Sequence, residues 1–437
     1  MLTTNKSEKR LSSTVSLFKF SELWTTNKNQ YCFVPSFSHS CISKSLSDMA
    51  ARKVLENHKT FTSKAVADNM NSENPKFANS KNKKVKAFHK IPGRPQLLNN
   101  PWNGLFHNDE SSENKLEKFE RLLSGDLTST ELCQLSWSGI PMKVRATVWR
   151  LLSGYIPLQK EKRQYTLNKK RQDYLKMVKE YYHTDSNESN HSTYHQIHID
   201  VPRMNPSIPL FQQNIVQEMF ERILFIWAIR HPAAGYVQGI NDLVTPFFIV
   251  FLEEAVCFNV PFELLTINVL TQEQRDKVEA DTFWCAWKFL ESIQDNYITA
   301  QPGIQQKVVQ LKKLIERIDD TLHQHLVEHN VDYLQFSFRW LNNLLTRELP
   351  LRCIIRLWDT YLAENETFSL FQLYVCAAFL LHWREKLLLE TDFQGLMLFL
   401  QNLPTHNWTN THISLLVAEA YRLKVMFADS PNHLKCK

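Results

Sequence analysis

After about residue 112, apolar residues recur at three- and four-residue steps; before it, such periodicity appears only briefly, around 49–55. Over 213–230, Ile215, Met219, Phe220, Ile223, Leu224 and Trp227 share one helical stripe. His231-Pro232 ends it, because proline has no N–H and its ring clashes with the preceding turn. Over 307–328, Val308, Leu311, Leu314, Ile318, Leu322 and Leu326 form a second stripe, with Lys312, Lys313, Glu316 and Arg317 off it. That pattern predicts one amphipathic surface helix. Further helices are predicted over 115–123, 333–345, 352–362, 371–389 and 413–427, and another after the break at Gly139-Ile140-Pro141, carrying Arg145 and Trp149. No stretch alternates with period two between hairpin turns, so the fold class is all-α.

The first 112 residues are dominated by Ser, Asn and Lys and punctuated by Ile91-Pro92-Gly93-Arg94-Pro95 and Asn100-Pro101. They read as a disordered, low-complexity, regulatory tail. Its cluster Lys81, Lys83, Lys84, Lys86 reads as a solvated patch. The rest, 113–437, is expected to fold, with the polar stretch 184–192 as a surface loop; 11 Trp, 13 Tyr and 27 Phe supply a large core. A net charge of +6 from scattered basic residues gives nucleic-acid binding only weak support, and an acidic protein or membrane surface fits it as well. Eight cysteines without a C-x-x-C pair fit a reduced, intracellular, cytoplasmic protein. The longest apolar runs, 243–252 and 371–383, fall short of the roughly 18 residues a spanning helix needs, so membrane contact would be peripheral. Glu8, Glu22 and Asp48 argue against a transit peptide, and neither end carries a lipidation motif.

Candidate chemistry centres on Gly235-Tyr236-Val237-Gln238-Gly239, which places two of the nine glycines around a glutamine. Glutamine cannot ionise and works by orienting something, most often a water poised to attack a phosphoanhydride, as in GTP hydrolysis. Yet neither G-x-x-x-x-G-K-[ST] nor G-x-G-x-x-G is present, so the nucleotide would belong to a partner. A guanidinium inserted from outside into a GTPase is worth about 10³ to 10⁵ in rate. Arg203 suits that task, because Pro202 and Pro206 bracket it and fix its approach, and Asp200 could orient it by a charge-assisted hydrogen bond. Taken singly, Arg203 would be a solvated side chain, Gln238 a loop amide bonding backbone, Tyr236 a packing residue with a satisfied hydroxyl, and Asp200 a turn partner. A competing motif, His325-Leu326-Val327-Glu328-His329, matches the H-x-x-E-H of inverted zinc proteases. Leu326 belongs to the buried stripe and His323 adds a third local imidazole, so a solvated helix end is the simpler account and no metal is expected.

Three patterns in order, Arg145-x-x-x-Trp149, Ile197-x-x-Asp200-x-x-Arg203 and Tyr236-x-Gln238, resemble the fingerprint motifs of the TBC (Tre-2/Bub2/Cdc16) domain, the GTPase-activating module for Rab GTPases. Arg230-His231-Pro232, Gly239-Ile240-Asn241-Asp242-Leu243, Arg339-Trp340, Arg347-Glu348-Leu349-Pro350 and Arg356-Leu357-Trp358-Asp359 add to the resemblance. Phe225-Ile226-Trp227-Ala228-Ile229-Arg230 and Asn402-Leu403-Pro404 look like the TBC-domain family member 22 group, itself similar to a Golgi-associated yeast activator. The resemblance implies a V-shaped, two-subdomain helical domain over 113–437, with a motif-bearing core at 139–365 and C-terminal helices at 366–437. It implies that Arg203 and Gln238 enter the Rab site together, the glutamine replacing the GTPase's own. Ile197, Asp200, Gly235, Tyr236, Gly239, Arg145 and Trp149 would support them. GTP and Mg2+ would be carried by the Rab, leaving this chain with no cofactor and no enzymatic activity of its own. Golgi or adaptor proteins would meet the tail, placing the chain at Golgi or other endomembranes. The alternative is a helical scaffold that binds a Rab or Golgi protein without accelerating hydrolysis.

Overall fold

The computed structural model describes residues 112–125, 127–182, 188–257, 262–298, 301–364 and 368–427, and every regular element among them is helical. All belong to one of two compact units, 97–437; the other, 1–96, lies outside the described residues, as does the expected tail through 111 with its lysine cluster. No described helix is long and apolar enough to cross a membrane.

The chain opens with α1 (Ser112–Ser124), α2 (Ser129–Trp137) and α3 (Met142–Leu152). Thr128 and Glu131 start α2 with a reciprocal capping box, which satisfies two otherwise orphaned N–H groups. A long polar helix, α4 (Lys160–Met177), follows, then α5 (Glu188–Asp200), α6 (Asn214–Arg230), α7 (Ile240–Ala255) and α8 (Gln272–Glu291). α7 is the axis of this half: every residue from Ile240 to Glu253 is buried, against α3, α6, α8 and α12 (Leu351–Glu364). A helix buried all round loses its apolar stripe, so periodicity alone does not announce it.

α8 carries carboxylates into the core and pairs them there. Asp281 accepts from Arg150 of α3 at 2.8 Å, from Arg171 of α4 at 2.6 Å and from the Tyr155 hydroxyl at 2.8 Å. Burial would push its carboxyl up, but the two guanidiniums outweigh that and hold it below the usual carboxylate value. Two residues earlier, Glu279 accepts from Tyr174 of α4 at 2.7 Å and from Arg222 of α6 at 2.8 Å.

The second half contains α9 (Pro302–Ile318), α10 (Asp320–Glu328), α11 (Tyr333–Asn342), α12, α13 (Phe368–His382), α14 (Arg384–Leu389), α15 (Phe393–Gln401) and α16 (Asn410–Phe427). Four sequence expectations are corrected. The single helix over 307–328 is two, because Asp319 leaves helical geometry and its carboxylate accepts from the Leu322 N–H, capping α10. The helix over 371–389 likewise divides at Trp383, whose buried ring stacks on Trp408. The helix over 333–345 stops at Asn342, since Leu344 and Leu345 adopt φ of 51° and 64°. Within 184–192, residues from Glu188 onward already form α5 rather than a loop.

Candidate functional site

Two segments meet at the N-terminal end of α7. The first begins where α5 ends. Ile197 and Val201 are fully buried and root the chain, and Pro202 then opens a 3₁₀ turn, Val201–Arg203, for which its fixed φ is suited. Met204 is buried, and Asn205, at φ 42°, takes the left-handed conformation that turns the chain toward Pro206. Arg203 is thereby exposed between two anchors, and its guanidinium has no partner among the described residues.

The second segment joins α6 to α7. His231 ends α6 and its carbonyl accepts from the Gly235 N–H at 2.8 Å; Val237 accepts from Ile240, and the Asn241 side chain accepts from the Gly239 N–H at 3.1 Å. Gly235 and Gly239 both have positive φ, 61° and 108°. Gly235 faces open space, whereas a Cβ on Gly239 would lie 2.9 Å from Asn342 Nδ2 and 3.2 Å from the Asn343 amide. Only glycine fits there without displacing that pair. Gln238 sits between them, half-buried, its side-chain amide without a partner among the described residues.

Two contacts tie the segments together. The Tyr236 hydroxyl donates to Asp200 Oδ2 at 3.3 Å, and the Thr245 hydroxyl of α7 meets the Met204 sulfur at 3.4 Å. Burial, with Asp200 and Asp242 nearby, pushes the Tyr236 phenol far above its ordinary value, so it remains a donor. Asp200 does not cap the turn that follows it. It accepts from Tyr236, which places packing and hydrogen bonding in the same aromatic residue.

Sequence reasoning missed what grips the glutamine loop. Asp242, in the first turn of α7, accepts from Asn343 Nδ2 at 2.7 Å and from Arg347 Nε at 2.6 Å. Burial keeps its carboxyl above the usual value despite Arg347. Asn342 donates to Asn343 Oδ1 at 3.0 Å, and its own backbone carbonyl accepts the Tyr297 hydroxyl at 2.9 Å. The connection bearing these groups turns through Leu344 and Leu345, buried leucines in left-handed backbone, a conformation that costs about 1–3 kcal/mol each and persists only where the surroundings over-determine it. Arg339 and Glu348 clamp its two ends by a paired salt bridge, 2.8 Å between Nη2 and Oε2. Arg347 stands in a recognised motif, but no local spacing points from it to Asp242.

Arg145 and Trp149 do not join this site. The acidic neighbour of Arg145 is Asp359 of α12, fully buried, which also accepts from Trp149 Nε1 at 2.8 Å and the Ile140 N–H at 2.9 Å. The Trp149 ring packs edge-on to Phe247 of α7 at 5.3 Å, so this pair braces the helix behind the glutamine loop. The three imidazoles near α10 point to separate partners: His323 to the Tyr333 hydroxyl, His325 to the Glu390 carbonyl and His329 to the His325 carbonyl. No group of three or more His, Cys, Asp or Glu among the described residues could hold a metal ion.

Comparison with known proteins agrees with the resemblance in the motifs. The sequence pattern of the Rab-GTPase-TBC domain matches residues 142–388. The chain is 60% identical over 322 residues to TBC1 domain family member 22B of Homo sapiens, covering 74% of this chain and 63% of that protein. It is 46% identical over 325 residues to the GTPase-activating protein gyp1 of Schizosaccharomyces pombe, covering 74% and 63%. The chain thus spans 63% of the length of these two relatives. Its fold is similar to the crystal structure of the Ypt/Rab-GAP domain of Gyp1p, with a TM-score of 0.69 at 43% identity over 73% of this chain and 100% of that one. On the strength of these matches and of the three motifs, the chain belongs to the Rab-GTPase-TBC domain family.

Proposed function

We propose that this chain accelerates GTP hydrolysis on a Rab-family GTPase by inserting Arg203 and Gln238 together, in trans, and so regulates vesicle traffic. The observation that carries the reading is two polar side chains without a partner among the described residues, on neighbouring segments tied by the Tyr236–Asp200 hydrogen bond. GTP and Mg2+ belong to the partner. Phosphoryl transfer needs little covalent help from protein, so positioning and charge stabilisation are nearly the whole task. Arg203 spreads its planar charge over the phosphoryl oxygens in the transition state, and the Gln238 amide orients the attacking water. Tyr236 and Met204 keep the two within one rigid frame, which limits the entropy lost when they insert. The domain that does this is 113–437; residues 1–112 recruit it peripherally to Golgi or other endomembranes through adaptor proteins.

The test is a panel of GTP-loaded Rabs, with kcat/KM measured for wild type and variants. Arg203→Ala is expected to lose about 10³ to 10⁵ of the stimulated rate. Gln238→Ala is expected to lose about 10² to 10³, the scale for removing one positioned transition-state group. Arg203→Lys fails like the alanine, because a point charge does not reproduce the planar fork. If no Rab is stimulated, or both alanine variants stimulate as well as wild type, the activator reading falls and the scaffold takes its place.

A further inference from the structure

We propose that Asn343 and Arg347 are positioning residues for Gln238, fixing the backbone on which its amide is presented. The inference rests on the activator reading and concerns the same site. Gln238 has one neighbour that decides where its peptide points, Gly239, whose α-carbon lies against the Asn342 and Asn343 amides too closely for any side chain. Three residues further on, Asp242 is held by Asn343 and Arg347 from two positions of one connection, both donating to its Oδ2, so the first turn of α7 is pinned at that carboxylate. These partners lie 101 and 105 residues from Asp242 along the chain. Their connection is itself tied down: Gln372 donates to the Leu341 carbonyl, Tyr297 to the Asn342 carbonyl, and Gln301 to Asn342 Oδ1 at 3.1 Å.

An arrangement that served stability alone has no need of a left-handed turn built from two buried leucines beside a glycine-only contact. Both features follow if the turn must hand two amides and a guanidinium to the loop bearing Gln238. Such groups never touch the nucleotide; they act through the glutamine. A displacement of about 1 Å in a positioned group is enough to lose about 10²-fold in rate.

Residues that act through one another are non-additive, and that separates positioning from general support. Asn343→Ala is expected to lower kcat 10- to 100-fold with little change in KM for the Rab. Combined with Arg203→Ala it should subtract its full effect; combined with Gln238→Ala it should subtract almost nothing. Arg347→Lys, which keeps the charge at a half-exposed position, should give a smaller loss with the same pattern, and serves if Asn343→Ala fails to fold. Hydrogen exchange supplies a readout that needs no Rab: amides at 235–242 should exchange faster in either variant while those of α8 stay as in wild type. Equal losses in the Arg203→Ala and Gln238→Ala backgrounds, or unchanged exchange and unchanged kcat, overturn the proposal. A Gln238→Ala variant as active as wild type removes the activator mechanism along with it, whereas a dead Gln238→Ala with an additive cycle removes only the positioning role.

Discussion

The turn that presents Arg203 is made by chain stiffness, whereas the loop that presents Gln238 is held by side chains from the connection between α11 and α12. In the first, a helix end, a proline and two buried apolar residues suffice, and the exposed guanidinium has no partner among the described residues. In the second, a glycine with nowhere to put a Cβ, an asparagine pair and an ion pair between buried Asp242 and half-exposed Arg347 converge on residues 239–242. The difference follows from what each side chain would do. A cation acts through its field and reaches on a long, flexible stem, so its base needs only to be stiff. A neutral amide works through hydrogen bonds, which weaken steeply as distance and angle degrade, so its backbone has to be placed.

If that contrast is right, substitutions in the glutamine loop should lose more than their chemistry suggests. The largest effect is expected at Gly239→Ala: its φ of 108° and its contacts with Asn342 and Asn343 force the loop to shift, and kcat should fall about 10²-fold. Gly235→Ala is the control, since its φ of 61° is a left-handed conformation that an L residue adopts with modest strain and its Cβ meets open space. Its kcat should fall no more than about 10-fold, consistent with strain near 1 kcal/mol. Equal losses at the two glycines, measured in single-turnover assays, would erase the contrast.

A smaller effect is expected where the two segments meet. Tyr236→Phe removes one hydrogen bond to Asp200, worth about 1 kcal/mol, or roughly fivefold in kcat. The loss should be shared equally by wild type and an Asn343→Ala background, because this bond sets the distance between segments rather than the pose of the amide.

The smallest effect on activity should come from Lys307, whose Nζ donates to Gln372 at 3.0 Å behind the same connection. Burial lowers its ammonium to about 8. Since this lies below the value in the unfolded chain, the fold disfavours the charged form, and stability linked to this group rises as pH climbs from about 8 toward about 10.4. Relative to Lys307→Met, wild type should gain about 2 kcal/mol between pH 7 and pH 10 in urea denaturation, with kcat at pH 7 unchanged within twofold. A pH-independent difference would show that the ammonium is not desolvated.

Arg203 and Gln238 were legible as candidates because each stands in a short pattern whose spacing is local. Asn343 and Arg347 were not, because what links them to Asp242 is the packing of α7 against the α11–α12 connection, which no one-dimensional period records. The helices divide in the same way. α6 and α9 show their stripes, whereas α7 is buried on every side and so has none. α8 was hidden by Glu279 and Asp281, charges standing where a periodic reading asks for apolar residues. The stripe over 307–328 runs unbroken across two helices because Leu322 and Leu326 stay buried and in phase, and only the Asp319-Asp320 pair marks the boundary.

Those two carboxylates of α8 also govern how the molecule comes apart. Asp281 keeps both of its guanidinium partners only while α3 and α4 are docked, and Glu279 keeps its one guanidinium partner only while α6 is. Peeling α6 away alone would take Arg222 with it and leave the Glu279 carboxylate in the interior with only the Tyr174 hydroxyl, an expensive intermediate. Opening of α6 by itself is therefore disfavoured, and the two carboxylates couple the undocking of α3, α4 and α6 from α8.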